Sequence, residues 1–165
     1  MITLQPLSRD DATDKYLSWL NDPEVTKYLE VGNFPMTKEH LIGYIDKMNE
    51  TTEQVLFGIC LDGKFIGTIT LNDINWIHRI ANVGIMIGDK TCWRHGYGTE
   101  ATRQLVYYAF NRLNLQKVWA GVHALNQNSI KMFERAGFFR EAALNQERYL
   151  NGQYHVKYIM SIFNA

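Results

Sequence analysis

The chain has 165 residues, of which 46% are hydrophobic and 21% charged; this fits one domain spanning 1–165 with a core of its own and excludes a disordered chain. Lys+Arg and Asp+Glu are equal at 17 each, so no overall field draws the chain to nucleic acid or to an anionic membrane. No apolar run reaches the ~18 residues needed to cross a bilayer, no basic leader precedes an apolar core, and the expected location is the cytoplasm.

Ile2 to Leu7 alternates as a first strand, and Ser8 with Asp10 and Asp11 reads as the cap and acidic first turn of a helix to about Leu20. Asn21-Asp-Pro23 ends it; Glu24 to Leu29 is expected as a short helix, and Thr37 caps another through about Asn49. Gln54 to Leu61 and Lys64 to Leu71 flank Asp62-Gly63, a hairpin signal, and the polar stretch Asn72 to Ile80 reads as a loop. Ala81 to Gly88 is the fourth strand. Two adjoining stripes, Ala101, Leu105, Tyr108, Ala109 and Thr102, Val106, Phe110, Leu113, define a helix buried on a broad face. Lys117 to His123 is the fifth strand, Asn126 to Ala136 a helix ended by Gly137, and Phe138 to Ala143 and Tyr154 to Phe163 are late strands closed by an Asn151-Gly152 turn. This order predicts an α/β (α+β) architecture: a mixed, largely antiparallel twisted sheet flanked by helices, with the fourth and fifth strands parallel because a helix joins them.

The segment Lys90-Thr-Cys-Trp-Arg-His-Gly-Tyr-Gly-Thr-Glu-Ala101 places glycines between an apolar strand and a strong helix. A turn feeding a helix leaves its first N–H groups without intrahelical partners at the positive end of the helix dipole, which suits a pyrophosphate. Gly96 and Gly98 permit close backbone approach, and Arg94 adds a cation. Cys60 reads as core. Cys92 has no neighbouring base, and the two cysteines lack the spacing of a disulfide framework or a metal site, so no metal is expected.

Together with Asn126-Gln-Asn-Ser129-Ile-Lys-Met-Phe133-Glu-Arg-Ala-Gly137-Phe138 after the fifth strand, this ordered pair of motifs resembles the GNAT superfamily of acyl-CoA-dependent N-acetyltransferases over nearly the whole chain. The resemblance implies that strands four and five splay apart and hold a pantetheine arm, with Gly84 to Ile87 and Gly121 to His123 flanking the cleft. The family pattern Gln/Arg-x-x-Gly-x-Gly/Ala aligns with Trp93 to Gly98, and Trp93 departs from it in a way that leaves the backbone cradle intact. Acetyl-CoA contacts are expected from Ile85, Met86, Ile87, Arg94, His95, Gly96, Tyr97, Gly98, Thr99, Asn126, Ser129 and Phe133.

Phe133 stands where many relatives carry a tyrosine that protonates the departing thiolate, so Ser129, Tyr97, Tyr149 or water is expected to replace it. His78, by its ordinary pKa near ~6.5, and Glu30 are the candidate bases, with direct loss of the proton to water as the alternative. The expected activity is acetyl transfer from acetyl-CoA to a primary amine of a small molecule. Within the superfamily, Tyr16 to Pro23 and Ile87 to Trp93 resemble amino-sugar-nucleotide members, and Asn75 to Arg79 resembles polyamine enzymes; a nucleotide-linked amino sugar is the favoured acceptor. The alternatives are an N-terminal (ribosomal) protein or polyamine acetyltransferase and a CoA-binding regulatory module without turnover. No nucleic-acid or membrane partner is expected, and a homodimer is compatible with the family.

Overall fold

A computed structural model describes residues 1–165. One seven-stranded sheet carries β1 (Ile2–Pro6), β2 (Val55–Leu61), β3 (Lys64–Asn75), β4 (Ile80–Ile87), β5 (Lys117–His123), β6 (Phe139–Leu150) and β7 (Gln153–Phe163), in the order β1-β2-β3-β4-β5-β7-β6. Every neighbouring pair is antiparallel except β4 and β5. Those two meet only at Ile80/Lys117, Ala81/Val118 and Asn82/Trp119. Beyond Asn82 the β4 edge has no strand partner on that side, and the sheet opens into a V.

Four helices cover the sheet: α1 (Asp14–Leu20), α2 (Lys38–Asn49), α3 (Tyr97–Asn111) and α4 (Gln127–Arg135). Leu105, Ala109, Val118, Ala120, Val122, Ile130 and Phe133 belong to the main core, between α3, α4 and one sheet face. On the other face Tyr16, Trp19, Leu20, Leu41 and Ile45 pack with Leu56 and Met86. Gly88 makes this approach possible, since a Cβ there would lie 2.0 Å from the Trp19 ring.

Several boundaries differ from the sequence reading. The segment capped by Ser8 is a three-residue 3-10 turn, and α1 starts later, with Thr13 Oγ1 accepting from the Tyr16 N–H at 3.3 Å. Residues 24–29 form successive turns rather than a helix. β3 continues through the polar Asn72 to Asn75 by way of a register irregularity, because pairing with β4 satisfies its backbone. β6 likewise extends to Leu150 through irregularities at Arg140/Ala142 and Leu144/Arg148. The two-residue turns Asp62-Gly63 and Asn151-Gly152 both have positive φ throughout, as a type I′ hairpin requires.

Candidate active site

The mouth of the V is a cleft of about 750 Å3 lined by the loop after α1, the end of β4, the turn into α3 and the start of α4. Its turn is built chiefly from backbone. Arg94 (φ 64) and Gly96 (φ 81) both lie in the left-handed region, and Gly96 stands as the cap of α3 without a side chain to offer. None of the N–H groups from Arg94 to Thr99 has a hydrogen-bond partner, the first such bond of the helix being Glu100 N–H to Gly96 C=O at 3.1 Å. This run of donors at the start of a fifteen-residue helix has the chemistry to hold an anion.

The turn is anchored from three sides. Trp93 Nε1 donates to Ile87 C=O at 2.7 Å, which gives the departing tryptophan a structural use: it ties the turn to the strand end. Asp89 accepts from Thr91 N–H and Oγ1 at 3.0 and 2.6 Å and pairs with Lys64 at 2.9 Å. The Thr91 and Lys64 hydrogen bonds hold its carboxyl down at about 2. Lys90 reaches Asp22 and Glu24, both at 2.8 Å, and so fastens the loop after α1 to the same turn.

Of the expected cofactor contacts, Ile85, Met86, Ile87, Arg94, Gly96, Tyr97, Gly98, Thr99, Asn126 and Ser129 line the cleft. His95 does not. Its ring lies against Tyr97, with Nδ1 2.7 Å from Trp93 C=O. Phe133 also lies outside the lining: it is 3% exposed and packs on Phe138 at 5.0 Å in the main core. Among the expected catalytic groups Ser129 and Tyr97 line the cleft, and Tyr149, 67% exposed, does not. His78 occupies the β3–β4 turn at the opposite end of β4, seven residues before Ile85 and roughly 20 Å away at the ~3.3 Å rise of a strand. Glu30 is 81% exposed and pairs loosely with Arg148 at 3.5 Å. Sequence reasoning missed Lys131 and Arg135, which line the cleft one helical turn apart on α4. Their i, i+4 spacing after Ser129 was a usable signal. Lys27, also in the lining, carried none, because the loop holding it is positioned by tertiary contacts.

The acetyltransferase (GNAT) domain family matches residues 1–139, and the chain belongs to that family. It is similar to the spermidine N(1)-acetyltransferase of Escherichia coli K12, 31% identical over 98% of this chain and 86% of that protein. It is also similar to N-acetyltransferase p20 of Bacillus licheniformis, 28% identical over 98% and 92%. Among solved structures, the spermidine N-acetyltransferase of Vibrio cholerae in complex with CoA and spermine superposes with a TM-score of 0.89 at 25% identity, covering 98% of this chain and 95% of that one. The fold is thus that of an N-acetyltransferase, and the protein is an enzyme of this class rather than a binding module.

Proposed function

We propose that the enzyme uses acetyl-CoA as acyl donor and acetylates the primary amine of a small molecule, with a nucleotide-linked amino sugar as the favoured acceptor. The observation that carries the donor is the unpartnered run of N–H groups from Arg94 to Thr99 opening onto the cleft between the parted strands. Those donors suit a diphosphate, with Arg94, Lys131 and Arg135 adding positive charge. The free β4 edge from Val83 to Ile87 suits an amide-bearing arm, as a strand would. Acetyl-CoA supplies an activated thioester.

The chain's own groups then act mainly by positioning. Asn126 Oδ1 accepts from Ser129 N–H at 3.2 Å and caps α4, leaving its amide N–H2 free to donate. Ser129 Oγ makes no protein hydrogen bond, which leaves it available as the donor that replaces the missing tyrosine. No histidine lines the cleft, and its one carboxylate, Glu24, is bridged to Lys90. An acceptor amine therefore loses its proton to solvent; a pKa near ~8, like that of an α-amino group, leaves enough neutral amine at pH 7 for this.

The charges also bear on the acceptor. With Arg94, Lys131 and Arg135 taken up by the donor's phosphates, Lys27 and Glu24 are the lining charges left to the acceptor, and they balance. Tyr28 offers a flat face in the lining, whereas Trp19 is buried with Tyr16 and Phe65 and Phe34 lies exposed outside it. The second reading, a polyamine acceptor, is favoured by the similarity to spermidine acetyltransferases. Thiol release from acetyl-CoA with a panel of amines decides between them: the amino sugar nucleotide is expected to outpace spermidine and an N-terminal peptide, and the reverse order overturns the acceptor reading.

A further inference from the structure

On β5, Val118, Ala120 and Val122 enter the main core, so the alternation of a strand turns Trp119, Gly121 and His123 to the opposite face, the one covered by the loop after α1. His123 is there 5% exposed, under the Tyr28 ring at 5.0 Å and beside the His155 ring at 4.9 Å. Its Nδ1 accepts from Leu125 N–H at 3.1 Å, which puts the ring proton of the neutral form on Nε2. Nε2 is buried with no partner. Proteins seldom leave a buried donor unpaired without a use for it. His123 itself does not line the cleft; Tyr28 links it there, because it both lines the cleft and packs on the imidazole.

We infer that the Nε2–H of His123, beneath Tyr28, donates to an oxygen of the acceptor molecule, a hydroxyl, carbonyl or phosphate oxygen, and is a specificity-determining residue of the acceptor side. The groups around it support an oxygen over an ammonium. Lys157 is the register partner of His123 on β7, and Arg148 is the partner of His155, so both cations share this face. Glu147 and Glu30 face those cations at 3.7 and 3.5 Å and leave no carboxylate free for the imidazole. Burial first, then His155 and Arg148, lowers the His123 pKa and keeps the ring neutral. With Nδ1 already accepting from Leu125 N–H, the neutral ring can only donate through Nε2, which fits an oxygen and gives an ammonium group no acceptor.

The inference rests on the acetyltransferase reading, and two measurements separate their failures. Nitrogen-15 spectra of the histidine rings in the CoA-bound protein at pH 7 are expected to show His123 protonated on Nε2 alone, with the signal moving when the nucleotide-linked amino sugar is added. A ring protonated on Nδ1, an imidazolium, or a signal unmoved by every oxygenated amine of the panel overturns the inference even if acetyl transfer is never observed. With the best acceptor, His123→Leu is expected to raise the acceptor KM about 10- to 100-fold while moving the acetyl-CoA KM less than about twofold, and His123→Gln, which restores a donor, to recover part of the loss. An unchanged acceptor KM in a folded His123→Leu protein, equal shifts for both substrates, or spermidine as the best acceptor overturns it. A peptide or other oxygen-bearing amine as best acceptor would discard the amino sugar and leave the His123 assignment standing.

Discussion

The two ends of the cleft are built differently. At the turn into α3 the groups on offer are backbone N–H donors held by φ angles, one helix start and three anchoring side chains. On the Tyr28 side the groups are side chains from separate parts of the chain, Tyr28 on a loop, His123 on β5, and Arg148, His155 and Lys157 on the last two strands, of which Tyr28 alone lines the cleft; the acceptor recognition proposed above rests on them. A backbone site tolerates side-chain change and binds an invariant group; a side-chain site is free to vary with the acceptor.

The largest expected effect tests the core beneath both ends. Phe133→Ala should destabilise the fold by about 3–5 kcal/mol, the cost of emptying a buried aromatic site, measured by denaturant unfolding. A loss below about 1 kcal/mol would mean that the ring is not core.

Gly96→Val strikes the backbone end. A Cβ at Gly96 meets no protein atom within 4 Å, so any effect comes from φ 81, which a β-branched residue resists, and from crowding of the anion. CoA affinity by calorimetry should fall about 10- to 100-fold, a loss of roughly 1.4–2.7 kcal/mol, with the fold retained. Unchanged affinity would show that the cradle is not made by this turn.

Asp89→Asn loosens the anchor of the same turn and should cost about 1–2 kcal/mol at neutral pH, the scale of hydrogen bonds to a charged group. The folded-state pKa of Asp89, about 2, lies below its ordinary value of 3.8, so its contribution is complete above the ordinary value and is lost as pH falls toward 2. Wild type and variant should therefore converge in thermal stability between about pH 4 and pH 2. Curves that stay parallel through that window would mean that ionised Asp89 does not hold the turn.

The smallest effect belongs to the acceptor end. Glu30→Gln breaks an exposed 3.5 Å pair with Arg148 and should change stability by less than about 1 kcal/mol. If turnover nevertheless collapses with CoA binding intact, Glu30 serves as a base or amine ligand, and the proposed loss of the amine proton to solvent is wrong.

Local physics settled much of this protein. Apolar alternation, the Asp62-Gly63 and Asn151-Gly152 turns, the Thr37 and Asn126 caps and the glycine turn were all readable in the sequence, since each depends on residues a few positions apart. So was the run of unpartnered N–H groups, because those donors are consecutive. The polar tail of β3 and the length of β6 were hidden, because pairing with a neighbouring strand satisfies backbone that the residues alone do not favour. His78 falls outside the cleft for a related reason: proximity in sequence to β4 says nothing about which end of β4 opens, and only the loss of β5 pairing after Asn82 decides that. Phe133 reads as a cleft residue from its place on the helix, whereas packing against Phe138 turns it into the core. His123 was expected only as part of the Gly121 to His123 stretch flanking the cleft, with no role of its own. Its meaning arises where β5, the Tyr28 loop and β7 converge, residues far apart in the chain, and such a convergence is a property of the tertiary fold alone.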